Sequence, residues 1–137
     1  MTAKQYLRQL SRLNKQIRAI EEELEERRTR LTSITAPVTG DKVQTSVHGD
    51  RFADMIAALA DLDRTWEALK FEYELQRDKM VHEILDMDNE LYREILRRHY
   101  IQEQKLIQVA AEMHYSYDWI RRLHGKALVA FAKKYLM

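Results

Sequence analysis

Two stretches of this chain repeat apolar residues every seven positions, and this repeat restricts the possible folds more than any other feature of the sequence. In residues 3–33 the apolar seam is broken only at Arg27. Such a repeat places its apolar side chains on one stripe of a helix, which needs a partner helix to cover it. We therefore predict a long helix here. Its seam consists of Leu10, Ile17, Leu24 and Leu31, with Tyr6, Leu13 and Ile20 at the complementary positions.

A second repeat, over residues 50–86, supplies a partner for this helix. Its seam consists of Phe52, Leu59, Trp66, Tyr73 and Met80, with Met55, Leu62 and Leu69 between them. Asp50 stands where it can cap the start of the helix. When the two helices are placed antiparallel, one register satisfies every apolar layer. The predicted pairs are Leu31–Phe52, Leu24–Leu59, Ile17–Trp66 and Leu10–Tyr73.

Two parts of this predicted hairpin depart from the regular pattern. The seam becomes polar near Gln76 and Glu83, which predicts looser packing at that end. Residues 32–49 contain the only proline, two of the three glycines and several Ser and Thr residues. This composition predicts a long loop. Because a loop of this length is uncommon in a compact domain, it either has a role or moves, and the sequence leaves both open.

Charge is unevenly distributed along the chain. Residues 93–137 hold nine Lys/Arg and four Asp/Glu, a balance of +5, whereas the first 92 residues have a balance of −4. A basic segment favours an acidic partner such as nucleic acid. Basic residues also lie early in the first helix and acidic residues crowd the second. They form either complementary solvated faces or a stripe that contacts DNA or a protein. They are Lys4, Arg8, Arg12, Lys15 and Arg18, and Asp61, Asp63, Glu67, Glu72, Glu74 and Asp78.

The C-terminal part predicts three further helices. Asp88 can cap the first of them, over residues 89–101, and a break at residues 102–104 precedes a short apolar segment. Ser116 can then cap a longer helix whose inner face carries Ile120 and Leu123. A small residue at the crossing, a tight corner and a polar outer face are typical of a helix-turn-helix. The helix over residues 89–101 has its apolar positions at Leu91, Tyr92, Ile95, Leu96 and Tyr100, and the last helix ends with Leu128, Phe131 and Leu136.

Patterns that support catalysis or metal binding are incomplete in this sequence. His82 and Glu83 begin a zinc-protease HExxH motif, but Asp86 stands where the second histidine is required. Residues 86–89 resemble the start of a calcium loop without its glycine. The chain has no cysteine, which fits a cytosolic protein, and no apolar run of membrane-spanning length. We therefore expect no enzyme activity, cofactor, metal or membrane association.

Residues 91–128, LYREILRRHYIQEQKLIQVAAEMHYSYDWIRRLHGKAL, are similar to region 4 of the sigma-70 family, which recognises the promoter −35 element through a helix-turn-helix. The whole chain resembles a RinA-like group of phage and prophage transcriptional regulators of Gram-positive bacteria. The segments TAKQYLRQLSRL, LTSITAPVTGDKVQTS and YSYDWIRRLHGKAL carry this likeness. The apolar repeats and the resemblance together predict an all-α fold. A long antiparallel helical hairpin (coiled coil) in residues 1–86 precedes a three-helix, sigma region 4-like helix-turn-helix module in residues 87–137.

The resemblance implies roles for individual residues. Ala110 stands at the helix crossing, and His114 stands where the motif commonly has a left-handed glycine. Arg121 or Arg122 would contact guanine in the major groove, the commonest specific contact there. The buried positions would be Val109, Met113, Tyr115, Ile120 and Leu123. The DNA-binding residues would be Ser116, Tyr117, Asp118, Arg121, Arg122 and Lys126, and the phosphate contacts Arg97, Arg98, Lys133 and Lys134.

The aromatic residues Tyr117 and Trp119 leave two interpretations open, packing on the preceding helix or contact with DNA. The function predicted from these features is sequence-specific binding of double-stranded DNA by a phage transcription regulator in the cytoplasm of a bacterial host. The hairpin would dock on RNA polymerase or on a second copy in a homodimer. One alternative is an interaction protein that binds polymerase or a sigma factor without reading DNA. Another is a small terminase subunit for DNA packaging.

Overall fold

The structure is a computed structural model that describes residues 1–35 and 45–137. All its regular elements are helical over these ranges, which confirms the predicted all-α class. None of the described helices combines the length and apolarity needed to cross a membrane. The elements are α1 (Ala3–Thr35), α2 (Thr45–Leu85), α3 (Glu90–Leu96), a π-helical turn (Arg97–Ile101), α4 (Leu106–Met113) and α5 (Tyr117–Tyr135).

The first two helices extend further into the predicted loop than the sequence suggested. Helix α1 ends at Thr35, and α2 begins at Thr45, so Asp50 lies inside α2 and the predicted N-cap at Asp50 is wrong. Hydroxyl-bearing residues do not end α1, because Thr29 and Thr32 donate to the carbonyl oxygens four residues earlier, at 2.9 Å each. The centre of the predicted loop 32–49, residues 36–44, lies outside the described residues.

The contacts divide the chain into two compact units. The first contains Met1–Asn14 and Glu72–Met137, and the second is Lys15–Phe71. The start of α1 and the end of α2 therefore belong to the same unit as the four elements that follow α2. The domain boundary predicted between residues 86 and 87 stays a prediction.

In each unit, α1 and α2 lie antiparallel. In the second unit, Trp66 Nε1 donates to Glu21 Oε1 at 3.0 Å, and Arg28 Nη2 donates to Asp63 Oδ1 at 3.0 Å. In the first unit, the Tyr6 hydroxyl donates to the Glu83 carboxylate. A further hydrogen bond there joins the side chains of Gln9 and Gln76 at 3.2 Å.

These pairs show that the predicted register is wrong. It would place Glu21 opposite residue 62 and Arg28 opposite residue 55, whereas both contact positions further along α2. A heptad repeat restores similar apolar contacts when one helix slides by a turn or by a full repeat. The seam alone therefore does not select one register.

A hydrophobic core in the first unit joins the start of α1, the end of α2, the π-helical turn and α5. The predicted looseness near Gln76 and Glu83 is wrong, because Met80 and Ile84 have 0% of their surface exposed. The polar seam residues are satisfied there by Gln9 and Tyr6. The core comprises Ala3, Tyr6, Leu7, Leu10, Met80, Ile84, Met87, Leu96, Tyr100, Ile101, Ala127 and Phe131.

The connection between α2 and α3 differs from the prediction in its cap. Asn89, not Asp88, caps α3, because its side chain accepts from the backbone N–H of Tyr92 at 3.1 Å. Asp86, just after α2, instead contacts the end of α5. Its carboxylate accepts from the Tyr135 hydroxyl at 2.8 Å, and its carbonyl oxygen accepts from Lys134 Nζ at 2.6 Å.

The shared core makes Phe131 a sensitive position. Its ring is fully buried and lies with its centroid 5.8 Å from that of Tyr6. We expect Phe131→Ala to lower the free energy of unfolding by about 3–5 kcal/mol, through lost burial and the remaining cavity. Val129→Ala, on the exposed side of the same helix, should change it by less than about 0.5 kcal/mol. Urea denaturation of both variants measures the difference, and equal effects would contradict this account of the core.

Candidate nucleic-acid interface

Helices α3, α4 and α5 enclose a second, smaller core. Its buried residues are Ile95, Val109, Ala110, Ile120 and Leu123, and Leu91, Tyr92, Leu106 and Met113 pack against it. The predicted burial of Val109, Ile120 and Leu123 is confirmed, and Met113 is half-buried. Ala110 is also buried, so a small side chain stands between α4 and its neighbours, as predicted. This core fixes the inner face of α5 and therefore determines which side chains face outward.

The corner between α4 and α5 depends on a left-handed residue. His114 has φ 62° and ψ 39°, the conformation predicted for the position where glycine is usual. The backbone N–H of Tyr115 donates to the carbonyl oxygen of Ala110 at 3.0 Å and so closes the end of α4. The Tyr115 side chain is 41% exposed, so its predicted burial is wrong. Met113 and Ile120 already line the core beside the corner.

Ser116 starts α5 as the sequence predicted. Its Oγ accepts from the backbone N–H of Trp119 at 3.2 Å, which satisfies one of the free donors of the first helical turn. Because the cap follows the corner directly, the first turn of α5 begins at Tyr117. Tyr117 and Trp119 are 49% and 41% exposed, so neither ring is buried against the preceding helix.

The outer face of α5 carries a small charged network. Arg121 Nη2 lies 2.9 Å from Asp118 Oδ1, and Arg122 Nη2 lies 3.0 Å from Asp118 Oδ2. One carboxylate in the first turn, where the helix dipole favours negative charge, therefore holds both arginines. All three side chains are largely exposed. Exposed ion pairs contribute at most about 1 kcal/mol, so both guanidinium groups can exchange this carboxylate for another partner.

Lys126 is also exposed, on the same helix. The predicted site residues on α5 and its cap thus lie on the surface. Those in the range 116–122 follow the corner directly, in the cap and the first two turns of α5.

Three of the four predicted phosphate contacts are engaged inside the protein. Arg97 and Arg98 both pair with Glu94, at 2.7 and 2.6 Å, and Arg98 also contacts Glu112 of α4. Arg98 thereby links α4 to the preceding helical segment. Hydrogen bonds from Arg97, opposed by partial burial and supported by Arg98, lower the pKa of Glu94. These ion pairs count against the phosphate role predicted for both arginines.

Of the two lysines near the end of α5, Lys134 forms an ion pair with a described carboxylate and Lys133 does not. Lys134 Nζ lies 3.3 Å from the Asp86 carboxylate, which counts against its role as a phosphate contact. Lys133 is exposed and forms no ion pair within the described part of the chain. Among the four predicted phosphate contacts, Lys133 is therefore the one that forms no ion pair with a described carboxylate.

Lys105 was not among the site residues predicted from the sequence. This residue precedes α4, is exposed, and forms no ion pair with any described carboxylate. Its backbone is extended and its side chain does not cap the helix. The break that the sequence predicted just before it is the signal that could have marked it as a helix start.

A buried polar cluster lies behind α5. The Tyr100 hydroxyl is 2.8 Å from His124 Nε2, and His99 Nδ1 is 2.7 Å from the carbonyl oxygen of Gln104. The two histidine rings meet edge to face at 5.2 Å. Burial, followed by His99, Lys4 and Arg8, lowers the pKa of His124 to about 4. Burial likewise lowers the pKa of His99.

Sequence patterns alone did not mark this cluster, because residues 99, 100 and 124 come together only in the folded chain. No group of metal-ligating side chains occurs among the described residues.

Comparisons of the chain with models of known protein families, with curated proteins and with solved structures give no significant match.

The left-handed corner predicts the effect of glycine at position 114. Glycine adopts this conformation without the steric penalty of a side chain, so His114→Gly should raise the free energy of unfolding by up to about 1 kcal/mol. His82→Gly makes the same substitution inside α2 and should lower it, because glycine weakens a helix. Urea denaturation of both variants measures whether each substitution raises or lowers the free energy of unfolding. A loss of stability in His114→Gly would contradict the strained-corner account.

The buried histidines predict a dependence of stability on pH. Well above pH 6.5, the ordinary histidine pKa, they are neutral in both states, so they add no dependence. As the pH falls from there toward about 4, the unfolded chain binds a proton on residue 124 that the folded chain does not. Stability should then fall by at most about 1.4 kcal/mol per pH unit for this group.

His124→Gln removes the titrating ring while keeping a polar side chain opposite Tyr100. Its unfolding free energy, measured by urea denaturation between about pH 7 and about pH 5, should decline less steeply than that of the wild type. Curves of equal slope would show that His124 does not cause the dependence.

Proposed function

We propose that this chain is a sequence-specific DNA-binding transcription regulator of phage or prophage origin, without enzymatic activity, in which α5 enters the major groove of double-stranded DNA. One observation carries the proposal. A capped helix, held from behind by Ile120 and Leu123, presents two exposed arginines within its first two turns. A helix in this position, preceded by a short helix and a tight corner, is the usual reader of base edges in helix-turn-helix proteins.

The chemistry of Arg121 and Arg122 suits this task. A guanidinium group donates two parallel hydrogen bonds to the O6 and N7 atoms of guanine, worth about 1–3 kcal/mol of discrimination between bases. In the free protein both groups are held by Asp118 in exposed ion pairs. Because such pairs are weak, exchanging one of them for a guanine edge is favourable. Asp118 then orients the arginine that remains, or accepts from the amino group of a cytosine.

Phosphate contacts would fix the register of α5 on the duplex. Lys126 and Lys133 on α5 and Lys105 before α4 are exposed cations that form no ion pair within the described residues. Such contacts add affinity and salt dependence without reading sequence. The similarity of residues 91–128 to sigma-70 region 4, and of the chain to RinA-like regulators, supports the same assignment. The partner of α1 and α2, whether polymerase or a second copy, stays a prediction.

A second candidate is an interaction protein that binds polymerase or a sigma factor without reading DNA. It is favoured by an apolar and aromatic surface around the corner, where Ile107, Tyr115, Tyr117 and Trp119 are 41–63% exposed. Exposed aromatic side chains of this kind are frequent at the centres of protein interfaces. The ion pairs that Arg121 and Arg122 form with Asp118 also weaken the positive electrostatic field of the outer face of α5.

Selection from a pool of random duplexes, followed by fluorescence anisotropy, tests the first candidate. The selected duplex should bind more tightly than a scrambled duplex of the same composition. Arg121→Ala or Arg122→Ala should weaken selected binding by roughly 5–150-fold and relax the preference at one base pair, because a bidentate contact is lost. Lys126→Ala serves as the control, since loss of a phosphate contact weakens both duplexes equally.

The results separate the two candidates. Enrichment of no duplex, together with unchanged binding in both arginine variants, would remove the claim of base reading. Capture of purified RNA polymerase that is retained by the arginine variants and lost in Trp119→Ala would then favour the interaction protein.

A further inference from the structure

The first turns of α1 carry a face of exposed cations. Lys4, Arg8 and Arg12 are spaced by four residues, so they lie on one side of the helix. All three side chains are exposed, and the first acidic residue in the sequence is Glu21. We call these three residues the α1 basic face. It belongs to the same compact unit as α4 and α5.

The α1 basic face forms no ion pair within the described part of the chain. Other arginines of the same helix do, since Arg27 pairs with Glu23 at 2.9 Å and Arg28 with Asp63 at 3.0 Å. Because no carboxylate of the described residues offsets their charge, the three cations of the α1 basic face are available to an external acidic partner.

The position of the face explains why the acidic residues of α2 do not neutralise it. In this unit α2 contacts α1 through Gln9 and through Tyr6, which lies away from the side of Lys4 and Arg8 because it is two residues from each. Leu7 and Leu10 are buried in the core between the flanks. The acidic residues of α2 therefore form no ion pair with the α1 basic face among the described residues.

The flank that carries the face borders the C-terminal elements instead. The positive charges of Lys4 and Arg8 help to lower the pKa of both His99 and His124, so they act across the π-helical turn and α5. Nearby, Asn14 of α1 donates to the Glu103 carboxylate at 3.2 Å. Lys4 and Arg8 are therefore close enough to the π-helical turn and α5 to act electrostatically on a residue of each.

We propose that the α1 basic face binds the phosphate backbone of the duplex that α5 reads. This inference rests on the proposed function. Lysine and arginine neutralise phosphates without regard to sequence, and each neutralised phosphate releases a counterion. The face would therefore add affinity equally for every duplex and steepen the salt dependence. Its role differs from that of Arg121 and Arg122, which would select the sequence.

The experiment compares two double variants that remove the same charge from exposed positions. Arg8→Gln/Arg12→Gln alters the α1 basic face, and Arg51→Gln/Arg77→Gln alters α2. Anisotropy titrations with the selected and the scrambled duplex over a series of salt concentrations give the slope of log K against log salt. Circular dichroism of each variant establishes that the helices are retained.

We expect the α1 variant to flatten this slope by about 1.8, because two phosphate contacts are lost at about 0.9 each. Binding of both duplexes should weaken by the same factor, so their ratio is unchanged. Adding Lys4→Gln should flatten the slope by about 0.9 more. The α2 variant, which changes net charge equally, should keep the wild-type slope.

Failure of this inference is distinguishable from failure of the proposed function. If the wild type prefers the selected duplex but the α1 and α2 variants have equal slopes, the inference is overturned and the function stands. If the wild type binds all duplexes alike and the α1 variant alone loses that binding, the inference stands and sequence reading fails. Absence of any binding to DNA at low salt overturns both.

Discussion

The core that joins the first turns of α1 to the end of α2 and to α5 is the constraint on which the rest of the first unit depends. Phe131, Leu7 and Ile84 come from three different helices and are all fully buried. Because buried side chains are close-packed, this contact fixes how α5 is rotated. The rotation puts Arg121 and Arg122 on the surface and brings the α1 basic face beside the C-terminal elements. Folding of the interface therefore depends on residues far from it in sequence.

Within the interface, ion pairs divide the cations into two groups. Arg97 and Arg98 both pair with Glu94 of α3, and Arg98 also joins the π-helical turn to α4 through Glu112, in partly buried pairs. Arg121 and Arg122 share one exposed carboxylate and can release it. The same residue type thus links helices in one place and remains exposed to solvent in the other, because the exposure of each ion pair differs.

Much of the local structure was predictable, because its causes are local. The spacing of apolar residues predicted the helices, the cap at Ser116 followed from residue type, and the corner required a left-handed residue at position 114. The prediction failed at Asp88, where the neighbouring Asn89 forms the cap, and at Tyr115, whose side chain is exposed. At the cap a neighbour of similar chemistry takes the position, and sequence spacing does not distinguish between neighbours; at the corner Met113 and Ile120 line the core without Tyr115.

The sequence by itself determined that the chain is helical, where the corner between α4 and α5 lies, and which face of α5 is polar. Those properties depend on side chains within one or two helical turns of each other. Only the tertiary structure decided the register of α1 on α2, since a heptad repeat is nearly unchanged by sliding. It also decided which cations are paired and that the charges of Lys4 and Arg8 help to lower the pKa of His99 and His124. Ion pairing depends on distances between separate helices, and a sequence does not contain those distances.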